Sequence, residues 1–294
     1  MIEPVFNILK QDEKITIFTP LGIRFWDPVQ KVQITDNLTV RAIPEDTRYP
    51  IVNAFRTASG IYAFQGLPGL HGIEYPENKR KPNLTKSFII DIKDNLNRFL
   101  PVIFSVSLPL SYKGIYLTYS QNSLPLDDLP GFFLFSAPTR SISSGIAAVR
   151  GQLIVKSTNL PAAHAVLEVQ VDGKKWYGIA DDRGCIAVMF PYPAFLSKLM
   201  ASPSNERLPL SLNQQHWNLT IRVRYAQDVL KYPQGINIPY LSSILNQPLG
   251  LIWSTIERYA PEMSLNLIFD QENILHTGGL SESIMWIDTG TSPI

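Results

Sequence analysis

The stretch that decides the fold runs Ala165-Val-Leu-Glu-Val-Gln-Val171, Asp172-Gly173, Lys174-Lys-Trp-Tyr-Gly-Ile-Ala180, Asp181-Asp-Arg-Gly184, Cys185-Ile-Ala-Val-Met-Phe190. Its first segment alternates apolar and polar side chains, the period of a half-buried strand. Asp172-Gly173 is a dipeptide favoured in two-residue hairpin turns, where both central residues need positive φ. The spacing predicts that Lys175 to Ala180 pairs back on Ala165–Val171. Gly184 ends a second tight turn, at a position expected to need the left-handed conformation that glycine permits. Ile186 to Phe190 then returns as a third strand. Short strands joined by tight turns are the units of a β-sandwich.

The same grammar extends in both directions. Ala148–Val155 and Leu219–Tyr225 read as strands of the same unit, with Arg222 and Arg224 together on one face, expected to be solvated. Toward the N-terminus, Leu38–Ile43, Ile61–Phe64, Phe88–Ile92 and Phe99–Leu108 read as strands, as do apolar runs around 15–18, 21–26, 72–75 and 115–117. Only Ala194–Met200 and Pro239–Asn246 look helical, with Pro239 expected at the first helical position. The expected architecture is all-β. It comprises an N-terminal β-sandwich with a proline-rich connecting region over 1–143 and a second sandwich (prealbumin/immunoglobulin-like) over 144–233. A C-terminal extension over 234–294 carries a short helix and docking strands.

Composition agrees. The 294 residues include 26 basic and 25 acidic side chains, a single cysteine and 23 prolines. One cysteine cannot close a bridge within the chain, and near-zero net charge supplies no bulk field for nucleic acid. The 17% charged fraction is low against a typical ~25%. The start, Met1 to Lys10, places Glu3 and Pro4 where a signal peptide would be basic and then apolar, so a cytoplasmic location is expected.

Chemistry is not evident in the residue pattern. No phosphate-binding glycine loop or nucleophile elbow occurs, and Cys185, His71, His164, His216 and His276 are far apart, so no catalytic, cofactor or metal site is expected. Asp181 and Asp182 read as turn residues, Asp127 and Asp128 as a solvated loop, Lys79-Arg80-Lys81 as a solvated cluster, and Cys185 as a small buried hydrophobe. Tyr232 to Ile256 contains no charged side chain, but Pro233, Pro239 and Pro248 argue against a spanning helix. Tyr240, Leu241, Ile244 and Leu245 share one face of the helix expected there. That face either covers the domain's own core, docks on a partner or lies on a membrane surface. With Trp176, Tyr177 and Trp253 they make the candidate interface set. A carbohydrate- or ligand-binding module using Trp176 and Trp217 as exposed aromatics is the competing reading.

Two segments share a strand, a second strand, a glycine turn at Gly60 or Gly184, a third strand and a proline-bearing corner. This resembles the prealbumin-like sandwiches, such as the regulatory domain of carboxypeptidases, which implies scaffolding rather than catalysis. Several runs are also similar to a family from contractile injection systems, the phage-tail-like machines. They include Leu21-Gly-Ile-Arg-Phe-Trp-Asp-Pro-Val29, Phe99-Leu-Pro-Val-Ile-Phe104, Gly131-Phe-Phe-Leu-Phe-Ser-Ala-Pro-Thr-Arg140 and Phe190-Pro-Tyr-Pro193. The resemblance spans about 20–225. It implies a structural protein present in several copies at or around a baseplate, with tail subunits as partners and no family catalytic residues. It also implies peripheral docking of the particle at an inner membrane, cytoplasmic or thylakoid.

Overall fold

The computed structural model describes residues 19–70, 85–108, 131–194, 197–199, 207–209, 212 and 215–290. The fold is all-β, and its one α-helix is Leu241–Leu245 among the described residues. The expected strands at 15–18, 72–75 and 115–117 lie outside those residues, as do Lys79–Lys81 and Asp127-Asp128.

In the first sandwich, an antiparallel sheet runs in the order Val52–Asn53, Leu38–Pro44, Lys86–Asp94, Val102–Leu108. Against it lie two three-stranded sheets. One is Leu21–Ile23, Tyr62–Phe64, Phe55–Arg56; the other is Phe132–Phe133, Phe25–Asp27, Val32–Ile34, with its first pair parallel. Alternation along Val102–Leu108 sends Val102, Phe104, Val106 and Leu108 inward. Phe104 stacks on Phe132 at 4.6 Å between ring centroids, and Phe132 meets Phe25 edge-on at 6.0 Å, so aromatics join the layers.

The second sandwich is built around the long strand Ile146–Val155, which pairs antiparallel with Cys185–Pro191 and parallel with Ile284–Asp288. Its opposite layer is antiparallel, in the order Lys174–Ile179, Val166–Val171, His216–Arg224, Glu262–Ile268. Asp172 and Gly173 adopt φ of 48° and 73°, the signs the hairpin requires. Leu167, Val169, Leu219, Ile221 and Val223 fill the space between layers.

Four expectations are corrected. The 234–294 segment is not an appendage: Leu251–Trp253 and Ile284–Asp288 lie within one sheet of the second sandwich and Glu262–Ile268 ends the other, because their apolar faces complete its core. Residues 197–199 are extended and pair with Arg207–Pro209, so no helix spans Ala194–Met200; Pro193 and the hairpin pairing override the local pattern. The glycine turns at 60 and 184 are not equivalent. Gly60 closes a hairpin within one sheet, Phe55↔Ala63, whereas the Gly184 turn carries the chain from one layer to the other. The 241–245 helix falls inside the expected range, but Tyr240 is its N-cap, which leaves Pro239 before the helix. No helix among the described residues is long and apolar enough to cross a membrane.

Candidate functional site

The two sandwiches meet on the outer face of the Val166–Val171 sheet. Val166 and Ile179 point away from their own core and join an apolar cluster with Val102, Leu230, Leu241, Ile244 and Leu245. That is why Val166–Val171 is buried on both faces at this end although its sequence alternates. Each such side chain removed from water contributes about 1.5–3 kcal/mol, so the helix fastens the second sandwich to the first. A parallel bridge, Ile103↔Tyr240, places the helix start against the Val102–Leu108 strand. Gln247, wholly buried, fixes the helix end. Its Oε1 accepts from Ala226 N at 2.9 Å, and its Nε2 donates to the carbonyls of His164 (2.8 Å) and Ile244 (2.9 Å).

Beside this contact a pocket of about 260 Å³ opens between the domains, walled by Val102, Ile179, Leu241 and Ile244, with His164 and Asp182 toward its rim. His164 stands at φ 60°, a left-handed position that histidine tolerates better than most. Burial lowers the imidazole pKa, against the opposing pull of Asp182 and Asp181. Asp181 acts in its turn as expected: its Oδ1 accepts from Arg183 N at 3.0 Å and Cys185 N at 2.8 Å. Cys185 is half-buried rather than buried, and burial, followed by Asp181, pushes its thiol pKa up.

Further along the same face lies a charged cluster. Glu168 is 1% exposed and lies 2.9 Å from Lys175 Nζ, a close ion pair without hydrogen-bond alignment. The guanidinium groups of Arg222 and Arg224 follow at 3.8 and 3.9 Å. Arg222 also binds Glu262 at 2.8 Å. The register Glu168↔Tyr177 and Glu168↔Arg222 brings these residues side by side. The arginine face is therefore ion-paired and half-buried, not simply solvated. Burial, then the Glu168 charge, pushes the Tyr177 phenol up to about 12, with Arg224 opposing.

Most of the candidate interface residues are withdrawn from the surface. Trp176, Leu241, Ile244, Leu245 and Trp253 are core residues, Tyr177 packs against the first core, and Tyr240 caps the helix half-buried. Trp217, the other aromatic of the carbohydrate reading, is also buried. The outward apolar residues of 232–256 are instead Tyr232, Leu249 and Ile256. Sequence reasoning also missed the segment 49–56, where Tyr49, Ile51 and Phe55 are 46%, 50% and 46% exposed. Val52–Asn53 and Phe55–Arg56 are the end strands of two different sheets, so this segment runs along two sheet edges. The clue was present in adjacent short apolar words broken by Pro50 and Asn53.

No family model and no curated protein matches the chain. Among solved structures it is similar to "a putative adhesin from Bacteroides ovatus", at 10% identity over 72% of this chain and 75% of that chain, with a TM-score of 0.18. A likeness that weak carries no argument about fold or role.

Proposed function

We propose that the chain is a non-enzymatic structural and interaction subunit of a contractile injection system, placed at or around the baseplate and present in several copies. The observation that carries this reading is the 49–56 segment, two sheet edges with three exposed large hydrophobic side chains. Edge strands of this kind are templates for pairing with another chain. The runs shared with the injection-system family support the assembly. Repeated copies would multiply a weak edge contact by avidity. Docking at an inner membrane, if the particle docks, falls on Tyr232, Leu249 and Ile256 rather than on the helix face, which is already covered.

The test is co-sedimentation from cells that make the whole particle. The chain is expected in the fraction with sheath and tube, and Ile51→Lys with Phe55→Lys is expected to release it while leaving its folding intact. Sheathed particles that sediment without the wild-type chain would overturn the assignment.

A further inference from the structure

A second cavity, about 370 Å³, opens beside the Asp172-Gly173 hairpin, where Lys31 of the first sandwich meets the second, and it shares no residue with the helix contact or with the 49–56 edges. It is lined by the exposed residues Lys31, Asp172 and Lys174 and by Tyr192, Pro193 and the mostly buried Trp176. Its size is that of a small-molecule site.

The walls are rigid. Lys31 sits at φ 56° in a turn closed by its own N–H on the Asp27 carbonyl at 2.9 Å, and Asp172 sits at φ 48°. Both left-handed residues belong to tight turns, which set the backbone at one edge of the pocket. Val29, two residues from Lys31, packs into the second sandwich against Ala148, Ala187 and Met189, so the two domains cannot slide at this point. The Tyr192 ring makes tilted contacts with Trp217 (5.6 Å) and Phe269 (4.8 Å), and its hydroxyl accepts from Asp270 N at 3.0 Å. Trp217 Nε1 donates to Ala194 O at 3.2 Å and fixes the far lip.

The rim chemistry is specific. Lys175, next in sequence, is paired with Glu168, but neither Lys31 nor Lys174 has an ion-pair partner among the described residues, and both are exposed. Two unpaired ammonium groups fit one carboxylate. Asp172, also exposed and unpaired, is an acceptor for hydroxyl donors. Tyr192 and Pro193, with the little of Trp176 that is accessible, offer apolar surface to ring C–H groups. The geometry points to a site for an acidic sugar, a pyranose bearing a carboxylate. The carboxylate lies between Lys31 and Lys174, ring hydroxyls lie on Asp172, and the apolar ring face lies on Tyr192. This site is independent of the assembly reading: it gives the second sandwich a ligand whether or not the chain is built into a particle.

The test is calorimetric titration of the full chain with glucuronate, glucose and acetate. Glucuronate is expected to bind with Kd on the order of 1 mM, an affinity suited to a few polar contacts on a small ligand. Lys31→Gln and Lys174→Gln are each expected to weaken it about tenfold, the loss of one charge-assisted hydrogen bond. Asp172→Asn, which tolerates positive φ, is expected to weaken glucuronate while leaving the thermal midpoint unchanged. Lys231→Gln, remote from the pocket, is expected to bind as wild type. No glucuronate binding, acetate binding as tightly as glucuronate, or the same affinity in both lysine variants would each overturn the proposal.

Discussion

Gly184 and Gly145 separate two costs that a turn glycine can carry. Both have positive φ, 75° and 80°, so an alanine at either is strained by about 1 kcal/mol or more. At Gly145 a methyl group meets nothing within 4 Å, whereas at Gly184 it would stand 2.4 Å from the Leu153 carbonyl oxygen. That oxygen accepts from Ala162 N, and Leu153 N donates to Gly184 O, so neither side can yield cheaply. Gly184→Ala is expected to lower the denaturant midpoint well beyond Gly145→Ala, with the slope unchanged. Asp27 is a second decisive residue. Its carboxylate is paired with Arg140, both nearly buried, and Oδ1 accepts from Val29 N at 2.9 Å. Asp27→Asn leaves a buried guanidinium without its counter-charge and is expected to cost about 3–5 kcal/mol in chemical denaturation. Asp94 shows the acid-side consequence. Burial raises its pKa, but donors from Arg98 and from the Arg98 and Leu96 backbone outweigh this and hold the pKa below the ordinary value. A depressed carboxylate stabilises the fold above its unfolded pKa of about 3.9 and loses that contribution as pH falls through the folded value. Asp94→Asn is therefore expected to flatten the loss of stability below about pH 4. Gly184 was legible in sequence because it follows the turn-forming Asp181. The Asp27–Arg140 pair, whose members stand 113 positions apart, leaves no local signal.

The 241–245 helix shows how far an element can be read. Its place was visible from the apolar spacing, but what covered it was not, since one amphipathic stripe looks the same under a domain, a partner or a lipid surface. Here the cover is the first sandwich, reached through Leu241, Ile244 and Leu245. Leu241→Ala is expected to destabilise by about 2–5 kcal/mol in thermal or denaturant unfolding. A small effect would show that the helix packs more loosely than its burial indicates. Removing 236–256 is expected to unfold the chain, because it takes away core residues and the Leu251–Trp253 strand together. The His164 turn beside the helix adds a pH dependence of defined sign. An imidazole whose pKa is depressed by burial stabilises the fold fully above its unfolded value, near 6.5, and loses that contribution as pH falls through the folded value. His164→Asn keeps a residue suited to positive φ and is expected to remove the loss of stability just below pH ~6.5. The alternating strands were the most legible elements. Gln247 was among the least, because its role depends on Ala226 and His164 arriving from elsewhere.

For the whole molecule, the apolar cluster that includes Phe25, Phe64 and Phe104 also includes Val166 and Ile179, so the first core reaches onto the outer face of the second sandwich, whose own core is separate. Calorimetry is expected to show a single cooperative transition; two resolved transitions would mean that this apolar contact contributes little. Sequence reading found the two sandwiches but divided the second too early, because local pattern says nothing about the parallel pairing of Leu153 with Met285. That pairing has a consequence during synthesis. Ribosomes add about 5–20 residues per second, so the 146–155 strand is in place for seconds before residues 284–288 exist to lie beside it. During that interval a long, mostly apolar strand waits with one flank open. A nascent chain of this design is expected to need a holding chaperone, or a partner subunit, until its closing strand emerges.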